Sequence, residues 1–149
     1  MRASVIRLPG RARWTVVAGA ALVAICTASC SNETLTSPTS STELEGTWRL
    51  SQMTSGSTVH NEDLSAGRFG VTFTTGRVEA KADCNQCTGA ATLSGSTLTV
   101  NALACTRAAC VSAPLDTRFS GLLSGPLTVR LNNRLLQLNS AQGELRFER

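Results

Sequence analysis

Four cysteines within residues 82–110 constrain this chain more than any other feature: Cys84, Cys87, Cys105 and Cys110. They form two close pairs, Cys84-x2-Cys87 and Cys105-x4-Cys110. Between the pairs, residues 89–93 and 97–100 flank Ser94-Gly95-Ser96, a short glycine-containing connection that reads as a β-hairpin. Three chemistries suit such a set. Four thiolates can hold Zn²⁺. Cys84-Asn85-Gln86-Cys87 can act as a redox dithiol. Alternatively, the four sulfurs form two structural disulfides. A thioredoxin-like dithiol opens a helix in a βαβ setting, whereas the flanks here read as strands. Four cysteines allow three pairings. The nested pairing Cys84–Cys110 with Cys87–Cys105 fits antiparallel flanks, and the crossed pairing fits a looser connection.

Compartment decides between these chemistries. Arg2, Arg7, Arg11 and Arg13 precede an apolar run over residues 14–25, followed by Thr27-Ala28-Ser29 and Cys30. A basic start, a short apolar core and small residues before a cut site describe a secretory signal. The apolar run is shorter than the roughly 20 residues a permanent membrane span needs. Small residues ending on a cysteine resemble a bacterial lipoprotein signal, which implies lipidation of Cys30 as the first residue of the mature chain. Thr27 departs from that pattern, which usually has leucine there. Cys26 follows the bulky Ile25 and suits the role less well. Ser31, rather than aspartate, follows Cys30, so the resemblance points to the outer membrane in a Gram-negative cell. Exported thiols meet an oxidising environment and pair. Disulfides are therefore expected.

The formal charge of +4, from 14 basic and 10 acidic residues, belongs to this leader. Four of the basic residues precede Cys30 and no acidic residue precedes Glu33, so the remainder is balanced at 10 against 10. A basic surface for nucleic acid is excluded on that count. Membrane attachment is expected through the lipid alone.

The expected organisation is a signal over 1–29, a Ser/Thr-rich linker over 30–43 and a folded domain over 44–149. Residues 31–43 include Pro38 and have no apolar periodicity, so they read as a flexible tether. Trp48 and Leu50 share one face of a first strand. Residues 55–67 are polar and read as a loop, and Phe69, Val71 and Phe73 then alternate. Thr75-Gly76 turns the chain into a returning strand over 77–82. Leu115, Phe119, Leu122 and Leu123 recur on one helical face within 114–123, with Pro114 at the start and Gly125-Pro126 as a stop. Residues 127–131 and 135–138 form a hairpin around Asn132-Asn133-Arg134, where asparagine tolerates positive φ. Gln142-Gly143 turns into a last strand over 145–147. Many short strands with one inserted helix argue for a mainly β fold: a small antiparallel sheet curled toward a barrel or sandwich. Trp48, Phe69, Phe73, Phe119 and Phe147 are its only aromatic residues, so crosslinks have work to do in stabilising it.

No catalytic constellation stands out. His60, the only histidine, lies in the polar loop. The adjacent carboxylates of Glu62 and Asp63 belong to the same loop and suit solvation. No nucleophile elbow, S-x-x-K pair or phosphate-cradling glycine loop is present. Asn85 is expected to satisfy backbone groups or to adopt positive φ in a turn. Gly46-x-Trp48 resembles the opening of lipocalin-type barrels, which implies a tryptophan closing one end and an apolar interior ligand. The side chains available are expected to fill a small barrel instead.

Gly46-Thr47-Trp48-Arg49-Leu50, Asp83-Cys84-Asn85, Gly89, Thr106 to Cys110, an aromatic-bearing helix and a closing hairpin together resemble the META domain, the family of HslJ-like bacterial envelope lipoproteins. Asp83 stands where that family usually has glycine. The resemblance implies a small β-barrel-like fold with one short helix. It also implies a bridge between Cys84 and Cys110, leaving Cys87 and Cys105 as an added pair. It implies no enzyme activity, no cofactor and no catalytic residues, and it links the family to heat or envelope stress, secretion and motility. The expected function is a non-enzymatic, lipid-anchored cell-envelope domain in envelope stress, assembly or protein interaction. The alternatives are a thiol oxidoreductase acting through Cys84 and Cys87, and a lipocalin-like ligand carrier or inhibitor.

Overall fold

The structure, a computed structural model, describes residues 34–61, 67–110 and 114–149. The signal segment, Cys26, Cys30, Glu62 and Asp63 lie outside the described residues. Among the described residues, nine strands and one α-helix follow in chain order: β1 (Gly46–Ser55), β2 (Thr58–His60), β3 (Phe69–Thr74), β4 (Arg77–Ala82), β5 (Asn85–Ser94), β6 (Thr97–Cys105), α1 (Leu115–Leu122), β7 (Gly125–Leu131), β8 (Leu135–Ser140) and β9 (Gly143–Glu148). β1 is long enough to serve three neighbours. On one edge it pairs with β3, Trp48 opposite Val71, and further along with β2, Thr54 opposite Val59. Its other edge pairs with β9, Leu50 opposite Phe147. β1 and β3 to β9 therefore close into an antiparallel barrel, with β2 added outside the ring. Closure removes most of the bare sheet edge that an open sheet of this size would carry.

Alternation places the core. In β4, Val78, Ala80 and Ala82 point inward while Arg77, Glu79 and Lys81 face water, and β7 does the same with Leu127, Val129 and Leu131. In β1 the inward parity switches from Trp48 and Leu50 to Met53. A bulge at Ser51 causes the switch: register slips between Leu50 and Gln52, and Ser51 Oγ donates to the Arg146 carbonyl at 3.2 Å. A second bulge in β6 sets Ala102, at φ 46°, and Leu103 opposite Gly89 alone. Gly89 is required there, because a Cβ would stand 2.9 Å from the Asn101 carbonyl oxygen.

Helix α1 plugs one end of the barrel. Phe119 is fully buried, edge-on to Phe69 at 5.5 Å and to Phe147 at 6.4 Å between ring centroids. The other end is closed by Trp48. Its indole N–H donates to the Leu44 carbonyl at 2.8 Å, and the Arg149 guanidinium lies 4.0 Å over its ring. Arg149 also donates to the carbonyls of Asn133 and Glu45, tying the last residue to the β7–β8 turn and the entry to β1.

Three sequence expectations change. The tether expected over 30–43 is held to the barrel at Thr36, whose N–H and C=O both bond Leu131 at 2.9 and 2.8 Å. β7 runs past the start of β6 and leaves this edge open, and Pro38 is buried behind it. The loop expected over 55–67 contains β2, because β1 continues beyond β3 and offers an edge. In the β7–β8 turn, Asn132 acts through its side chain and not through positive φ. Its Oδ1 accepts from the N–H groups of Arg134 and Leu135 at 2.9 and 2.8 Å.

Candidate functional site at the disulfide-bonded end

β5 and β6 are longer than the expected hairpin and carry the cysteines into the ladder. Cys87 and Cys105 are directly opposite, with Cα atoms 4.0 Å apart, and are disulfide-bonded. Beyond the strand ends a second bridge joins Cys84 to Cys110, with Cα atoms 5.5 Å apart. The pairing is nested, the one that antiparallel flanks fit. Zinc binding and dithiol chemistry both need thiolates, and all four sulfurs are engaged. Cys84 and Cys87 are exposed and buried respectively, and each is bonded to a different partner, so no Cys-x-x-Cys couple forms.

Asn85 is the hub of this end. It starts β5 with its side chain 4% exposed. Its Oδ1 accepts from the Ala108 N–H at 2.8 Å and the Thr106 hydroxyl at 3.0 Å. Its Nδ2 donates to the Ala108 carbonyl at 3.2 Å and to Asp116 Oδ2 at 3.1 Å. One buried amide thus fastens β5 to residues 106–108 and to the first turn of α1. Its Nδ2 also lies 3.1 Å from Cys110 Sγ, so both ends of the amide are engaged, and leaving such a buried group unmatched costs about 1–3 kcal/mol. Asn85 does satisfy backbone groups as expected, but the positive φ falls on its neighbour Asp83, at 59°. Aspartate is among the few residues that tolerate this region. Its carboxylate lies 3.3 Å from Arg68 Nη1, and its N–H donates to the Arg68 carbonyl at 2.9 Å.

Between the tail of β6 and α1 lies a groove of about 610 Å³, lined by Leu103, Cys105, Arg107, Ala109, Thr117 and Ser120 among others. Its hydroxyls are engaged nearby: Ser120 Oγ donates to the Asp116 carbonyl at 3.0 Å. His60, on β2, does not line the groove. Its Nε2 accepts from Arg118 Nη1 at 3.0 Å, on the helix but away from Ser120. The Thr117 hydroxyl donates to Asp116 Oδ1 at 3.4 Å, a contact between neighbours in the first turn of α1, and among the described residues no histidine lines the groove. Trp48, the residue of the lipocalin-like opening, is fully buried at the opposite end, and Trp48, Phe69, Phe119 and Phe147 fill the interior.

Sequence reasoning missed the roles of Asp116 and Arg118, which look like ordinary polar positions of an amphipathic helix, and of Arg149. Only the folded barrel brings them to Asn85, His60 and Trp48.

The sequence profile of the META domain matches residues 41–149. The chain belongs to the META domain family. The φ of 59° at Asp83 is one that glycine adopts without strain, which agrees with the glycine the resemblance implied at this position. An NMR structure of a protein from Burkholderia xenovorans matches this META domain chain with a TM-score of 0.64 at 18% identity, over 95% of this chain and 98% of that one. A second NMR structure matches at 0.52 and 23% identity, over 70% and 89%. The crystal structure of a lipocalin-like protein from Bacteroides uniformis matches at 0.52 and 20% identity, over 72% and 98%. These likenesses speak for the barrel fold. No curated protein matches the chain significantly.

Proposed function

We propose that this META domain protein is a lipid-anchored component of the bacterial cell envelope that acts by binding other envelope proteins and catalyses no reaction, in envelope stress or assembly. One observation carries the reading: the groups with chemical potential at the disulfide end are engaged with one another. Four sulfurs form two bridges, Asn85 is saturated, and the sole histidine bonds Arg118. What remains is a rigid surface. Oxidised sulfur suits an exported protein, and Cys30 supplies the anchor.

The test is fractionation of cells expressing the full chain, with intact-mass and non-reducing peptide mapping of the purified protein. The expected result is a membrane-bound protein acylated at Cys30, released to the soluble fraction by Cys30→Ser. An unmodified Cys30, or free thiols at Cys84 and Cys87 with insulin-reducing activity, would overturn the reading. The lipocalin-like neighbour gives a ligand carrier as the second reading. The filled barrel axis weighs against it.

A further inference from the structure

Between β6 and α1 the barrel wall is incomplete. β6 pairs with β5 along its length as far as Cys105, but with β7 only from Thr97 to Val100. Successive residues of an antiparallel strand turn their main-chain groups to opposite edges. Ala104 pairs with Thr88, the Thr106 N–H donates to the Gln86 carbonyl at 2.9 Å, and the Ala108 N–H donates to Asn85. These three face β5. Leu103, Cys105 and Arg107 therefore present their N–H and C=O groups to the other side, into the groove. The short Cα separation at Cys87 and Cys105 agrees, since residues that do not exchange ladder hydrogen bonds approach most closely. The bulge at Ala102 and Leu103 blunts the lower part of this edge, as bulges do on protected edges. The two disulfides and Asn85 hold the rest extended, so this edge is ordered before anything binds.

We propose, on the protein-binding reading above, that an extended acidic peptide segment of an envelope partner adds to the free edge formed by the end of β6 and the residues that follow it, Leu103–Arg107, as an antiparallel strand seated between β6 and α1. One further observation chooses this occupant. Arg107 is exposed, lines the groove and has no charged partner among the described residues, so it attracts a carboxylate. The acidic side chain in the same lining, Asp116, is committed to Asn85 Nδ2 at 3.1 Å. Main-chain pairing supplies affinity in this mode, and small side chains such as Ala108 and Ala109 in the lining leave room for larger ones on the partner.

The probe is a positional library of octapeptides carrying one fixed Glu or one fixed Lys. It is titrated into the full chain in detergent micelles and read from backbone amide shifts. Glu pools are expected to move the amides of Leu103, Cys105 and Arg107. Arg107→Glu, at an exposed position that leaves the fold intact, should weaken the best Glu peptide roughly three- to tenfold and improve its Lys counterpart. N-methylation of alternate peptide amides should abolish binding in one register and spare it in the other. Unmoved amides at millimolar peptide, shifts confined to another face, or indifference to N-methylation would each overturn the proposal. Movement of these amides with protein concentration alone would also overturn it, because the occupant would then be a second copy. Failure here with a normally acylated, membrane-bound protein removes this docking mode and leaves the envelope reading standing; loss of acylation does the reverse.

Discussion

The two disulfides close loops one inside the other, so their contributions to stability should fall short of additive by a calculable amount. Cys84–Cys110 spans a sequence separation of 26 and Cys87–Cys105 one of 18. In the chain-entropy account each bridge acting alone contributes about 3.5 and about 3.2 kcal/mol respectively. With the inner bridge closed, the outer one constrains only the links lying outside it, 26 less 18, or 8. A loop of that size is worth about 2.5 kcal/mol. The pair together then contributes about 5.7 kcal/mol where simple addition gives about 6.7, a coupling of about 1 kcal/mol. The assay is equilibrium urea unfolding of the parent, of Cys84→Ala with Cys110→Ala, of Cys87→Ala with Cys105→Ala, and of the fourfold variant. The packing lost at the buried Cys87 occurs in both arms of the cycle and cancels. A coupling within about 0.3 kcal/mol of zero would refute the shared-loop reasoning. A coupling of opposite sign would also refute it, and would show that the outer bridge stabilises the native position of the inner one.

Phe119→Ala removes a fully buried ring between Phe69 and Phe147 and should cost about 3–5 kcal/mol, with early loss of α1 seen by amide exchange. A cost below about 1 kcal/mol would show that the helix is no plug. Gly89→Ala sets a methyl 2.9 Å from the Asn101 carbonyl oxygen and 3.2 Å from Leu103 Cδ2. It should destabilise by about 1–3 kcal/mol and shift the amides of β6, and an unchanged melting curve would count against the bulge geometry. The hydroxyl of Thr39, and then its N–H, hold the Glu43 carboxylate below its ordinary value of 4.5. A lowered folded-state value means a contribution fully present above the unfolded value and lost as pH falls through the folded one. The turn over 39–45 should therefore loosen only in acid, below pH 4.5. Thr39→Val should return the Glu43 midpoint part of the way upward by NMR titration, and an unmoved midpoint would refute the assignment.

What was legible in the sequence, and what was not, divides by the distance over which each feature is decided. Phe69, Val71 and Phe73, the inward set of β4 and the apolar face of α1 are local patterns, and they suffice for an antiparallel sheet curled toward a barrel or sandwich with one helix. The bulges at Ser51 and Ala102 leave no local mark, because either parity of β1 and β6 reads as a plausible strand. Only the fit of β1 to β9, and of β6 to β5, chooses the slip. Asn85 shows the same division within a single residue. Its type announces a turn or a capped backbone group. Its partners Ala108 and Asp116 lie 23 and 31 residues away and arrive only when the Cys84–Cys110 bridge and α1 are both in place. Arg149 is more extreme, reaching Glu45 across 104 residues to cover Trp48. The free edge of β6 belongs to this second kind. Residues 101–107 lie beyond the hairpin strands read over 89–93 and 97–100, and their side away from β5 is open because β7 begins only at Gly125, opposite Val100. The gap at which we place the partner therefore lies where the chain has left β6 for the plug and β7 has not yet taken up the pairing.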